Sequence, residues 1–247
     1  MNKTGRLLAI FAHPDDESYR AGGALALLAR KGAQVWVLCA TRGEQGILKM
    51  DSEETGQVRQ IEMECACRAL GINTPCFLDY QDGTLPQVDE EIAVGQVVGA
   101  IRKLRPQALL TWPPSGVSGH PDHVAVSSWT EKAFQLAADP AAYSEHKEDP
   151  HVVDALYHIV IPSSLAETMK MPHLHTVPDE EVTLTLDVSA VWDAKIAAIQ
   201  CHASQLSSSP ITSAPLDRQR LFLGTEYFQK VTVRTRNKKI LKKEIKK

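Results

Sequence analysis

Short apolar runs alternate with helix-length periodic segments through the first 140 residues, and that alternation is the tightest constraint on the fold. Leu7-Leu8-Ala9-Ile10-Phe11 with Ala12 reads as a buried strand, followed by a helix over residues 18–31 that Gly32 closes. Strands over 35–39, 76–78 and 108–112 then alternate with helices over 53–70, 88–104 and 121–138. In the helix over 88–104, Ile92, Val97, Val98, Ile101 and Leu104 form the expected core stripe. The pattern predicts a Rossmann-like α/β domain, with a mostly parallel sheet and helices on both faces. The second half is less regular. Strands are expected over 156–161 and 182–186, a helix over 191–205, and a loop over 162–178 that covers one end of the sheet. No repeat or linker divides the chain. We expect a single domain over residues 1–233 and a frayed tail over 234–247.

That tail carries eight Lys/Arg against Glu244 alone, leaving 19 basic and 29 acidic residues elsewhere. A basic tail can meet nucleic acid or anionic lipid, but a solvated C-terminus is the simpler reading and no nucleic-acid partner is indicated. The apolar run near the N-terminus is cut by His13-Pro14-Asp15-Asp16, so it is no secretory signal, and no run is long enough to span a membrane. The five cysteines (Cys39, Cys65, Cys67, Cys76 and Cys201) are odd in number and lack zinc-knuckle spacing. Reduced thiols and a cytoplasmic location are expected.

The chemistry concentrates at two strand ends. Ala12-His13-Pro14-Asp15-Asp16-Glu17 follows the first strand, and Gly119-His120-Pro121-Asp122-His123 follows the strand over 108–112. Ligands of open α/β sheets bind at the carboxyl ends of the strands. Acids crowded beside imidazole repel one another unless a cation offsets them, and nitrogen with oxygen donors suits a divalent metal such as zinc, or iron. Two ligands from the first cluster and one from the second match the three-ligand habit of catalytic zinc. Asp15, between His13 and Asp16, is placed to take a proton from an attacking water. One of His120 and His123 can complete the metal set. The other can stabilise an oxyanion or protonate a leaving nitrogen, with Asp122 holding its imidazole. Glu17 reads as an acid favoured in a first helical turn. His173 and His175 read as loop residues, Trp112 as core or site wall, and adjacent Cys201 and His202 as a poor nucleophile pair.

The two histidine motifs together resemble the LmbE/PIG-L family of zinc-dependent N-acetylglucosamine deacetylases. Thr41-Arg42-Gly43-Glu44-Gln45-Gly46 is similar to the family's T-x-G-E-x-G, and Arg59-Gln60-Ile61-Glu62 with Ala69-Leu70-Gly71 to its R-x-x-E helix. Asp79-Tyr80-Gln81-Asp82-Gly83 resembles its acidic loop, and Lys195 with His202-Ala203-Ser204-Gln205 its late helix. The resemblance implies His13, Asp16 and His123 as metal ligands and Asp15 as general base. It implies that His120 stabilises the oxyanion and acts as general acid, tuned by Asp122, and that Arg59 and Asp82 contact the sugar. Ser118 stands where some relatives carry a catalytic tyrosine.

The reaction so implied is hydrolysis of the N-acetyl group, or a related acyl group, of a small glucosamine-type conjugate. The family's habit of assembling allows for a homo-oligomer. Two alternatives share these residues: an amidase of larger thiol–sugar conjugates, and a non-catalytic metal or carbohydrate binder.

Overall fold

The protein was analysed as a computed structural model that describes residues 5–231. The basic tail expected over 234–247 lies outside the described residues. Seven strands form one sheet: β1 (Arg6–Phe11), β2 (Gln34–Thr41), β3 (Cys76–Tyr80), β4 (Ala108–Thr111), β5 (Ala155–Ile159), β6 (Leu184–Asp187) and β7 (Thr225–Lys230). Their order is β3-β2-β1-β4-β5-β7-β6. The first five strands are mutually parallel, whereas β7 runs antiparallel to β5 and β6 antiparallel to β7.

Nine helices accompany the sheet among the described residues: α1 (Asp16–Tyr19), α2 (Gly22–Arg30), α3 (Ser52–Leu70), α4 (Glu90–Leu104), α5 (Gly116–Gly119), α6 (Pro121–Leu136), α7 (Ser163–Met169), α8 (Trp192–Cys201) and α9 (Leu216–Leu223). The pleat divides β1 between two cores, because successive side chains point to opposite faces. Leu7, Ala9 and Phe11 join Met63 of α3 and Ile199 of α8, while Leu8 and Ile10 join Val97 of α4 and Trp129 of α6. Helices therefore cover both faces of a single domain, as the alternation predicts.

Several sequence expectations change in detail. The helix expected over 18–31 is two helices. The second begins where the Glu226 carboxylate accepts from the N–H groups of Gly23 (2.8 Å) and Ala24 (2.7 Å). A partner from β7, some 200 positions away, thus supplies the cap that free helix N–H groups require. Ile92 is 60% exposed and leaves the expected core stripe of α4. The segment 162–178 contains α7 rather than loop alone, and the helix expected over 191–205 ends at Cys201, continuing as a 3₁₀ turn over Ala203–Ser208. Neither α9 nor β7 was expected.

The cysteine reading also needs correction. Cys65 of α3 and Cys201 of α8 form a disulfide, while Cys39, Cys67 and Cys76 are free. Spacing could not pair residues 136 positions apart. The packing of α8 along α3 brings them together. Nearby, Lys195 of α8 is wholly buried and donates to Glu226 (2.7 Å) and to the Leu223 carbonyl (2.6 Å). Burial lowers the Lys195 pKa to about 8 against the pull of Glu226.

Candidate metal centre

All the site loops emerge at the carboxyl ends of parallel strands. β1 delivers His13, Asp15 and Asp16, β3 delivers Asp82, and β4 leads through α5 to His120, Asp122 and His123. Because β1 and β4 are paired neighbours, the two histidine motifs meet although about a hundred residues separate them.

Asp16 is held on one side only. Its Oδ2 accepts from the backbone N–H groups of Ala12 (3.1 Å) and His13 (3.0 Å) and from Trp112 Nε1 (3.2 Å). This leaves Oδ1 for His123, whose Nε2 lies 3.3 Å away. The other ring nitrogen of His123 lies 3.2 Å from the Gly116 carbonyl, which can only accept, so Nδ1 carries a proton. Nε2 of a neutral His123 would therefore present a lone pair to a carboxylate oxygen. Such a pair is repulsive unless a proton or a metal cation stands between the two atoms. Trp112 stacks on the same imidazole, with ring centres 4.6 Å apart and planes 5° from parallel.

His13 has equally anionic company. Its Nε2 lies 3.1 Å from both Asp82 Oδ1 and Asp122 Oδ2. Two overlapping sets thus bring ligand atoms within 4.8 Å of one another: His13 with His120 and His123, and His13 with Asp82 and Asp122. Burial works against a charged His13, but its bonds to Asp122 and Asp82 outweigh that and raise its pKa to about 10. Burial likewise opposes ionisation of Asp16, and His123 and His13 overcome it, holding this carboxyl well below the usual range. For His123, Asp16 outweighs burial and raises the imidazole. Nitrogen and oxygen donors that share protons this tightly form a donor set that fits a divalent cation.

His120 is different. Its Nδ1 accepts from the backbone N–H of Asp122 (3.2 Å), as the N-cap of α6. Nδ1 is then unprotonated, and the neutral ring carries its proton on Nε2. Burial, with His13 and His123 nearby, lowers the His120 pKa. The sequence reading gave the Asp122 carboxylate to His120. Instead it turns inward, accepting from the N–H groups of Gly83 (2.8 Å) and Leu85 (3.1 Å) as well as facing His13. The Asp122 backbone N–H makes the hydrogen bond to the His120 ring, while the carboxylate's charge works to raise the His120 pKa.

Asp15 takes φ 106°, an uncommon value for a residue with a side chain. Its Oδ2 lies 3.3 Å from Arg59 Nη2, and a quarter of its side chain stays exposed. Burial raises the Asp15 pKa to about 6 against the pull of Arg59. Arg59 also donates to the carbonyls of Pro14 (2.5 Å) and Gly43 (3.1 Å). Arg59 is 4% exposed and packs behind Asp15. Asp82 is engaged too. Its Oδ1 faces His13 and its Oδ2 accepts from Gln45 N–H (3.1 Å), so both oxygens are engaged within the site.

Three supporting residues gain defined partners. Trp112, expected as core or site wall, holds Asp16 and His123 together. Glu17 is a first-turn acid as expected but fully buried, and His202 reaches it from the end of α8 (2.7 Å). No local signal marks the last two, because their partners come from distant segments. His175 stays in its loop, beside Gly119.

The fold and this cluster define an α/β protein with side chains able to hold a metal ion gathered at its strand ends. The chain belongs to the PIG-L family, described as GlcNAc-PI de-N-acetylase, whose model matches residues 8–134. It is 33% identical to a 1D-myo-inositol 2-acetamido-2-deoxy-alpha-D-glucopyranoside deacetylase of Rhodococcus erythropolis, over 83% of this chain and 82% of that one. Its fold is similar to that of N,N'-diacetylchitobiose deacetylase from Pyrococcus horikoshii (TM-score 0.72, 18% identity, covering 93% of this chain and 84% of that one). A 4-carboxy-2-hydroxymuconate hydratase from Pseudomonas putida shares the fold too (TM-score 0.71, 22% identity, covering 94% and 98%).

Proposed function

We propose that this chain is a metal-dependent hydrolase that removes an N-acetyl group from a small glucosamine-type conjugate. The observation that carries the reading is the division of labour between Asp15 and its neighbours. We assign His13, Asp16 and His123 to the cation, whereas Asp15 stands beside them with Arg59 Nη2 3.3 Å from its carboxylate. Zinc suits these donors, and Fe2+ is the second candidate. When bound, such an ion supplies Lewis acidity that polarises an amide carbonyl and acidifies water.

The chain's own residues do the rest. Asp15 accepts the proton of the attacking water, with Arg59 fixing the direction of its carboxylate. His120 Nε2–H donates to the carbonyl oxygen as that oxygen becomes anionic, since its Nδ1 is already occupied by the Asp122 N–H. His120 in this form has no additional proton to give, so Asp15 returns the proton it accepted to the leaving nitrogen. The deacetylase relatives support the substrate class. Among the described residues no helix is long and apolar enough to cross a membrane.

Acetate release from a panel of N-acetylglucosaminyl compounds, inositol-linked ones included, with and without a chelator, tests the reading. Release that stops with chelator and returns with zinc or Fe2+ is expected. Cleavage confined to thiol-conjugate amides would overturn the substrate assignment, and metal and sugar binding without acetate would overturn the activity. The Asp15→Asn variant should keep its metal and lose at least about 100-fold in turnover, the lower end for general-base removal. The cytoplasmic reading is tested separately by cell fractionation: the protein should appear in the cytosolic fraction, and recovery in a secreted or envelope fraction would overturn it.

A further inference from the structure

We propose that Glu17 and His202 are positioning residues for Asp15, acting from behind the site without touching substrate. The inference rests on the reading of Asp15 as the base. Asp15 sits in the left-handed region with φ 106°, at the N-cap of α1, and makes no side-chain capping bond there. A residue with a Cβ is strained in such a conformation and keeps it only when its surroundings over-determine it.

Here the surroundings can be named. The Asp15 backbone N–H donates to Glu17 Oε2 (3.1 Å). Glu17 Oε1 in turn accepts from Ser18 Oγ (2.5 Å) and from His202 Nε2 (2.7 Å). Glu17 and His202 are both fully buried, so neither meets a substrate. His202 Nδ1 has no hydrogen-bond partner among the described residues. Burying a ring nitrogen unpaired is costly, because the water it gives up is not replaced. An apolar side chain at the end of α8 would avoid that cost. The imidazole is therefore placed for its one bond, to Glu17, and that bond fixes which way the second carboxylate oxygen faces.

The Asp15 carboxylate has its own clamp in Arg59. The division is then clear: Arg59 aims the carboxylate, and Glu17 with His202 holds the strained backbone from which it projects. Arg59 lies on α3 and His202 caps the C-terminus of α8, and the Cys65–Cys201 bond joins these two helices, so both clamps are set on one covalently braced pair.

The test compares His202→Leu with His202→Gln, whose amide N–H can replace the Nε2–H donor. With an N-acetylglucosaminyl substrate, His202→Leu should lose about 100-fold in kcat, the scale of a misplacement near 1 Å, with KM and bound metal unchanged. His202→Gln should recover most of that loss. A folded, metal-loaded His202→Leu with kcat within twofold of the parent would overturn the proposal, as would equal kcat for the two variants. If His202→Leu does not fold, Glu17→Gln replaces it, since its amide puts an acceptor either toward the Asp15 N–H or toward Ser18 and His202 but not both, and the same kcat loss is expected.

A crystal structure of His202→Leu, or of Glu17→Gln in its place, gives a readout independent of the reaction. Asp15 should leave the left-handed region, and a φ still near 106° would refute the positioning role. Failure of the base reading would show differently, as full turnover in Asp15→Asn whatever His202 does.

Discussion

Replacing Gly43 with alanine tests whether the floor of the site is built as described. Gly43 adopts φ 70°, and a Cβ there would lie 2.0 Å from Arg59 Nη1 and 2.5 Å from Cζ. The left-handed backbone alone costs an alanine about 1–2 kcal/mol. The methyl group must also push the guanidinium away from the Pro14 carbonyl and from Asp15. Hydrogen bonds to charged groups contribute about 1.5–3 kcal/mol each. Taking the low end of each range gives a loss of about 4 kcal/mol. In a chain of this size that lowers Tm by about 8–16 °C. Urea unfolding followed by circular dichroism measures the loss directly, provided the slope is unchanged. The decisive comparison is Gly43→Ala in an Arg59→Met background, where no guanidinium remains to be displaced. The cost there should fall to the backbone part, giving a coupling of at least about 2 kcal/mol between the two positions. An equal cost in both backgrounds, or a total below about 1 kcal/mol, would refute the contact between this glycine and Arg59.

Other perturbations read other parts of the structure. Trp112→Phe keeps the ring on His123 but removes the donor to Asp16, and isothermal titration should show metal affinity falling about 10–100-fold with the fold retained. Lys195→Met leaves Glu226 buried without its cation, and chemical denaturation should report a loss of about 3–5 kcal/mol. Reduction of the Cys65–Cys201 bond returns to the unfolded chain the freedom of a loop of 136 positions, worth about 5 kcal/mol in the chain-entropy account, so Tm should fall clearly on adding a thiol reductant.

The two histidine motifs were legible because each lies within a few residues of a strand end, and strand ends of a parallel sheet converge on one edge. The alternation of apolar runs showed the parallel half of the sheet for the same reason, each signal being local. What stayed hidden depends on partners far apart in sequence. Glu226 falls in the strand Thr225–Lys230, and no neighbour marks it as the cap of α2. Glu17 reads correctly as a first-turn acid by position, yet its burial follows from His202, 185 positions away. Arg59 looks like a surface residue of a long helix until Gly43 and Gly46 fold against it. The two glycines of the T-x-G-E-x-G segment and the arginine of the R-x-x-E segment are thus halves of one contact. α9 escaped because its run, Leu-Asp-Arg-Gln-Arg-Leu-Phe-Leu, has three charges in eight residues and buries only Phe222 and Leu223.

The Cys65–Cys201 bond also sets the covalent topology of the molecule. It closes a ring that contains His120, Asp122 and His123, while His13, Asp15 and Asp16 lie on the N-terminal arm outside it. A protease cut after the exposed Lys147 opens the ring without releasing either half of the metal centre. The nicked chain would run as a single band on a gel without reductant and as two with it. A break in the backbone there leaves every residue of the centre on the N-terminal fragment, and only sulfur joins that fragment covalently to the one that carries His202.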